Sequence, residues 1–559
     1  MRKTINLLFA AALSCSPLMS SAQQSATWNP TLPGGKYRNP IINADYSDPD
    51  VCRVGGDYYM TSSSFACFPG LQILHSTDLV NWKIIGAALQ DDYPVLPEYR
   101  GTNIDWRKRI QHGNYVWAPS IRHHDGWFYI YWGDPDQGLF MTKTQDPAGT
   151  WTTPVCVKPG KGMIDCCPLW DEDGKAYLSH GCAGSRAGVK SVLFVAPMSA
   201  DGTTVTGPSR IVYDGHEDQP TIEGTKFYKR NGYYYIMSPA GGVKYGWQVI
   251  LRSRNPFGPY DEYVGLAQGK SKVNGPHQGA WVDTPTGEDW FLHFQDKEAY
   301  GRVVHLQPVT WKDNWPVMGI DKDGDYCGEP VTTYRKPKTS GKVQVVNPAE
   351  SDEFSDTRLG LQWQWHANYN ETFGMPTAFG SYRVYTHKVS EKFQNLWEVP
   401  NLLLQKTPAD KFTATTKIRF TSKDQNQTGG LLMMGLDYSG LVVKRVGNDF
   451  QLLQISCKSA DKGKPQTEQL IATLKPTAVD QIDYQPGTHI DIYMRMSVND
   501  GKMHFSYSLD GKKYTKCGTE FTMREGKWIG AKIGFVAYEP GQKTNRGWID
   551  ADWFRVTRK

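Results

Sequence analysis

The sequence predicts an all-β protein: a five-bladed β-propeller followed by a β-sandwich. Three observations carry this expectation. A Gly-containing turn followed by a strand-like run recurs five times before about residue 335. Beyond that point apolar and polar residues alternate with the period of half-buried strands. No later stretch shows the 3.6-residue periodicity of a long amphipathic helix.

The five turn units are Gly55-Gly56-Asp57-Tyr58-Tyr59, Asp125-Gly126-Trp127-Phe128-Tyr129, Asp173-Gly174-Lys175-Ala176-Tyr177, Asn231-Gly232-Tyr233-Tyr234-Tyr235 and Thr286-Gly287-Glu288-Asp289-Trp290. Each reads as a hairpin. The turn glycines recur every 50 to 70 residues or so, which accommodates the four short strands of a propeller blade. Further strand signals follow each turn, such as Leu71 to His75 and Val249 to Leu251; the third unit is looser, around Val192 to Val195. The propeller is therefore expected over residues 36–335. Arg335-Lys336-Pro337-Lys338-Thr339-Ser340-Gly341 opens a linker expected over 336–350. The sandwich is expected over 351–559. There Ile490, Ile492, Met494, Met496 and Val498 alternate with polar residues, as do Met503, Phe505, Tyr507 and Leu509.

Composition narrows the function classes. The chain has 559 residues and a formal charge of +5. Arg2 and Lys3, the apolar run Leu7 to Leu13 and the small residues Ser20-Ser21-Ala22 form a secretory leader over residues 1–22, so export to the periplasm or beyond is expected. Leu13-Ser14-Cys15 weakly resembles a lipoprotein processing site, making an anchor at Cys15 the less favoured alternative. Without the leader's two cations the charge is too small to imply a nucleic-acid partner. No later apolar run is long enough for a transmembrane segment. The 10 Cys show no disulfide or zinc spacing, and small buried hydrophobes are expected. The 19 Trp and 30 Tyr suit strands and sugar rings equally.

In a propeller the innermost strands surround a central channel, so their starts meet at one rim. Counting back eight to ten residues from each turn glycine gives Asp48, Trp117, Asp165, Glu223 and His277. Any one of these acids alone reads more readily as a turn cap or a solvent-facing residue. Their common offset points instead to a shared cleft, where like charges drive carboxyl pKa values apart. Two such carboxyls flanking a sugar are what glycosidic cleavage needs.

At these residues the sequence resembles glycoside hydrolase family 43, over about residues 38–335. The resemblance implies a five-bladed propeller that cleaves β-xylosides, α-L-arabinofuranosides or arabinans with inversion. Tyr46-Ser47-Asp48-Pro49 resembles the general-base motif, which makes Asp48 the base. Ile164-Asp165 resembles the motif of the acid that tunes and orients the proton donor, and Glu223-Gly224-Thr225-Lys226 that of the general acid. By the same resemblance Phe65 and Trp117 line the sugar subsite, Arg302 binds the terminal sugar, and His277 is a substrate-site residue that in several members helps hold a channel metal ion or water. No cofactor is required by this reading; a structural calcium ion in the propeller channel is allowed by it. The tail from Asp352-Glu353-Phe354 through Trp365 resembles the jelly-roll, concanavalin-like sandwich of exo-acting members, a loop of which closes the pocket. The expected substrate is a plant cell-wall oligosaccharide that loses a terminal xylose or arabinofuranose. Asp50 departs from the family pattern as a fourth acid, and Cys166-Cys167 departs from it after Asp165. Asp321-Lys322-Asp323-Gly324-Asp325 lacks the distal Glu of a calcium loop and reads as a turn. The alternatives are a non-catalytic carbohydrate-binding propeller and a retaining, fructosidase-like five-bladed hydrolase. Which sandwich loop reaches the pocket, and the oligomeric state, stay open at this level.

Overall fold

The computed structural model describes residues 25–559, apart from 91, 342, 368, 481–486 and 542–545. The leader expected at residues 1–22, with Cys15, lies outside the described residues.

Five four-stranded antiparallel sheets form the first part of the chain. Their innermost strands are Asp50–Val54, Trp117–His124, Met163–Trp170, Lys226–Arg230 and His277–Asp283. Each inner strand leads into one of the five predicted turns and pairs with the aromatic strand after it. Asp125-Gly126 and Asn231-Gly232 have positive φ at both turn positions, the two-residue geometry that matches strand twist. The ring closes because the first strand of the fifth blade packs against that of the first. It is fastened where Lys36–Arg38 pairs with Thr333–Arg335.

The second part is a sandwich of two antiparallel-dominated sheets of eight strands each. Lys411–Ser422 and Gly487–Asn499 run side by side in one sheet. Ile490, Ile492, Met494, Met496 and Val498 all point into the core, as do Met503 and Phe505. Leu509, expected on the same buried face, is exposed: the strand ends at Ser508, and Asp510 caps the turn that follows. The single short α-helix among the described residues is Gly184–Ala187.

Propeller and sandwich share one apolar core. Phe68, Ile73 and Trp132 of the propeller belong to the same buried cluster as Trp363, Trp365 and Phe535 of the sandwich. Phe68 and Trp365 exchange both backbone hydrogen bonds, at 2.8 and 2.6 Å, so a strand-like bridge crosses the junction.

Candidate active site

Within two residues of the start of each inner strand stands a residue of positive φ: Asp48 (55°), Ala118 (33°), Asp165 (60°), Gly224 (61°) and Gln278 (53°). The sheet register slips just there in the second, third and fifth blades. A bulge at a strand start re-aims side chains, and strained backbone gathers at functional sites at a cost of about 1–3 kcal/mol per non-Gly residue. Five left-handed positions, three of them within bulges, stand where the inner strands meet one cavity.

That cavity holds about 270 Å³, close to the lower end of the range for small-ligand sites of roughly 300–1,000 Å³. Asp48, Asp165, Glu223, Phe65, Trp117 and Arg302 all line it. Asp48 Oδ2 accepts from Ser47 Oγ (2.8 Å) and Ser63 Oγ (2.5 Å). Ser63 Oγ in turn accepts from the Ala118 amide at 2.7 Å, tying the first blade to the second. Arg302 Nη1 lies 3.2 Å from Asp48 Oδ1 and donates to Ser47 Oγ. The guanidinium expected to meet the sugar thus also clamps Asp48.

Asp165 acts on Glu223 through its charge. Burial raises both pKa values above the carboxylate range; the charge of Asp48 adds to the rise at Asp165, and the charges of Asp165 and then Asp48 add to it at Glu223. Arg302 pulls the other way on both. Asp165 also acts through the backbone, because its Oδ2 accepts from the Gly224 amide at 2.8 Å, next to Glu223. Its own carbonyl accepts from Thr225 Oγ1 at 2.8 Å. Asp165 therefore both orients Glu223 and disfavours its ionisation.

His277 is placed differently from the expectation. It is 2% exposed and absent from the cavity lining, where Gln278 stands instead. The reason lies in the fifth blade, where the register slips between His277 and Gly279 and the left-handed Gln278 inside that bulge stands in the lining. Trp117 and Glu223 still reach the cavity, but the shift turns His277 behind the wall.

His277 is also ill placed for calcium. Its Nδ1 faces the Gly275 carbonyl at 2.7 Å, and the Gly242 carbonyl also bonds to the ring. Burial lowers its pKa to about 4, and Arg302 adds to that effect. Calcium takes about six to eight oxygen ligands. The groups bonded to the imidazole here are two backbone carbonyls and no carboxylate is bonded to it, so the residues present fall short of the set that ion takes. Asp321, Asp323 and Asp325 bring carboxylate oxygens within 4.8 Å of one another far from the cavity lining, but Asp321 is already paired with Lys312 and caps the turn through the Gly324 amide.

Asp50 is not a fourth pocket acid. It is fully buried below the rim, accepts from the Ile121 amide and Arg122 Nη1 at 2.7 Å each, and lies 3.8 Å from Lys226 Nζ. Cys166 and Cys167 are fully buried, and Cys167 Sγ accepts from Arg122 and from the Phe227 amide. No disulfide is present among the described residues.

Sequence reasoning missed several wall residues, Gln278 and Trp528 among them. Trp528 comes from the sandwich segment between Thr515–Thr522 and Lys532–Pro540, which answers the question of the closing loop. Its ring stands edge-on to Trp117 at 6.3 Å, and Ile529 beside it packs on Phe65 and Cys67. Gly113 allows this approach: a Cβ there would lie 2.8 Å from the Trp528 ring. A lone Trp between strands carries no periodic or motif signal that could have marked it.

Carboxyls of contrasting environment around a sugar-sized cavity, on a five-bladed ring capped by a sandwich, define a glycoside hydrolase. Residues 37–316 match the profile of glycosyl hydrolases family 43, and residues 351–557 match that of the beta-xylosidase C-terminal concanavalin A-like domain. The chain belongs to glycosyl hydrolases family 43. A protein of Xylanibacter ruminicola is 37% identical over 500 residues, covering 89% of this chain and 86% of its own. A beta-xylosidase of Formosa agariphila is 31% identical, covering 93% and 90%. A non-reducing end alpha-L-arabinofuranosidase of Bacteroides ovatus is 32% identical, covering 94% and 96%. Among solved structures, the Bacteroides ovatus xyloglucan-locus family 43 protein superposes with a TM-score of 0.75 at 26% identity, covering 94% of this chain and all of that one.

Proposed function

We propose that this chain is an exo-acting, inverting glycoside hydrolase that removes a terminal xylose or arabinofuranose from plant cell-wall oligosaccharides. The observation that carries the reading is the contrast between its carboxyls. Asp48 is bonded to two hydroxyls and a guanidinium, the partners of an anion. Glu223 is held towards its protonated form by burial and by neighbouring carboxylates. In a single displacement Asp48 removes a proton from water as that water attacks the anomeric carbon. Glu223 delivers its proton to the departing oxygen, and Asp165 keeps Glu223 protonated and aimed. The small cavity, capped by Trp528, suits one terminal sugar; an adjoining groove of about 770 Å³ past Trp528 offers room for the remainder. The names of the Formosa and Bacteroides relatives support xylose and arabinofuranose as the sugars. Export belongs to the same proposal and rests on the leader pattern of residues 1–22.

The test is nitrophenol release from aryl β-D-xyloside and aryl α-L-arabinofuranoside, with Asp48→Ala and Glu223→Ala as controls. Turnover that disappears in Asp48→Ala supports the assignment and names the sugar. Proton NMR of the first-formed anomer tests inversion, and a retained configuration would sink the single-displacement mechanism. Saturable binding of plant-wall oligosaccharides without turnover would favour a binding protein.

A further inference from the structure

We propose that Asp45 is a positioning residue that fixes the pocket from both sides, joining the propeller's Arg302 to the sandwich loop that carries Trp528. The inference rests on reading this cavity as the glycosidic site. Asp45 is buried three residues before Asp48, and each of its carboxylate oxygens has a separate task. Oδ1 accepts from the Arg302 amide at 2.8 Å, and Oδ2 accepts from the Gly530 amide at 3.0 Å. The first bond sets the backbone of the arginine that clamps Asp48. The second holds the loop two residues after Trp528.

The junction leaves no slack around this carboxylate. Gly301 has φ 74°, and a Cβ there would lie 2.4 Å from Asp45 Oδ1 and 2.6 Å from the Gly530 nitrogen. A Cβ on Gly530 would meet the Tyr300 carbonyl carbon at 2.7 Å and the Gly301 nitrogen at 2.8 Å. Beside them the Ala531 amide donates to the Ala299 carbonyl at 2.8 Å. Two glycines thus let two backbones touch, and one carboxylate satisfies an N–H from each. A buried N–H without an acceptor is costly, so the two donors fix the carboxylate and the carboxylate fixes both backbones. The Asp45 side chain takes no part in lining the cavity, so its influence on substrate runs through Arg302 and Trp528.

Asparagine tests the point, because it is nearly the same size but has one acceptor oxygen. Its NH₂ would face one of the two backbone donors, and that contact would open. In Asp45→Asn, kcat/KM on the aryl glycoside is expected to fall on the order of 10²-fold, the scale of a misplaced binding group. Loss at Arg302 enters kcat through Asp48; loss at the loop enters KM through Trp528. The KM effect is therefore expected to overlap with that of Trp528→Ala, giving a double variant whose KM is no higher than that of the worse single one. Hydrogen exchange of the backbone amides in 524–532 should speed up at least about tenfold in Asp45→Asn. In the unaltered protein, the Gly530 amide should already be protected as strongly as the Arg302 amide, a comparison that needs no folded variant. An unprotected Gly530 amide, or a folded Asp45→Asn with unchanged kcat and KM, overturns the proposal, as does full additivity in KM with Trp528→Ala. If the unaltered enzyme turns over neither the aryl glycosides nor plant-wall oligosaccharides, the hydrolase reading fails, while the exchange measurements still judge the latch.

Discussion

At the residue scale the chemistry depends on giving similar carboxyl groups different surroundings. On the proposed mechanism Glu223→Gln removes the proton donor and is expected to cost about 10²–10⁴-fold in turnover on glycosides with poor leaving groups. The loss should be much smaller on activated aryl glycosides, and equal losses on both would count against the acid role. The pH profile follows from the same pair. Because burial and the neighbouring carboxylates raise the pKa of Glu223, the alkaline limb of kcat/KM should lie above the ordinary carboxylate range. Glu223→Gln should abolish that limb on activated substrates. Stability responds with a definite sign. Between the unfolded and folded pKa values of Glu223 the native state binds more protons than the unfolded one, so stability falls as pH rises, by up to about 1.4 kcal/mol per pH unit for one group. Glu223→Gln removes this penalty. Its thermal midpoint at pH 7 should therefore exceed that of the parent, and the difference should vanish below about pH 4, near the unfolded pKa.

At the scale of the element, the strand starts decide which side chains face the cavity. Counting from the turn glycines found the right rim but could not register the bulges. Asp48 and Asp165 are themselves the left-handed residues, whereas Trp117, Glu223 and His277 each precede one. The slip spared Trp117 and Glu223 and exchanged His277 for Gln278. Local geometry at these starts also constrains neighbouring blades. A Cβ on Gly133 would lie 2.7 Å from Ile164 Cα and 3.2 Å from the Asp165 nitrogen, backbone against which nothing can yield cheaply. Gly133→Ala is expected to destabilise by about 1–3 kcal/mol and to lower kcat by displacing Asp165. Denaturant melts with parallel kinetics check both, and a stable variant of normal activity would refute the packing argument.

At the scale of the whole molecule, the two parts are bound by shared core and shared site. One apolar cluster runs from Phe68 and Trp132 to Trp363 and Phe535, and Trp528 completes the pocket wall from the far part. A single cooperative calorimetric transition is expected; two separable transitions would show the parts to be independent. A chain ending near residue 340 would expose Phe65, Phe68 and Cys67, and it should be poorly soluble and inactive even though its acids are intact. Recovery of a soluble, active propeller would contradict this dependence.

The sequence by itself determined the elements and most of the chemistry. Turn glycines, aromatic strands and period-2 alternation are local signals, because hairpin geometry and strand burial are set within a few residues. The convergence of Asp48, Asp165 and Glu223 was legible for a related reason: five repeats of one unit place equivalent positions at one rim. Tertiary structure alone decided the remainder. Whether His277 or Gln278 faces the cavity depends on a one-residue bulge, and no side-chain periodicity records it. Asp50 looked like a pocket acid until Arg122 and Lys226, from other blades, were seen to neutralise it. The roles of Trp528 and Asp45 arise only where residues more than 480 positions apart meet, at Gly530 and Asp45. Such contacts are fixed by the packing of whole sheets, and the chain carries no local pattern that announces them.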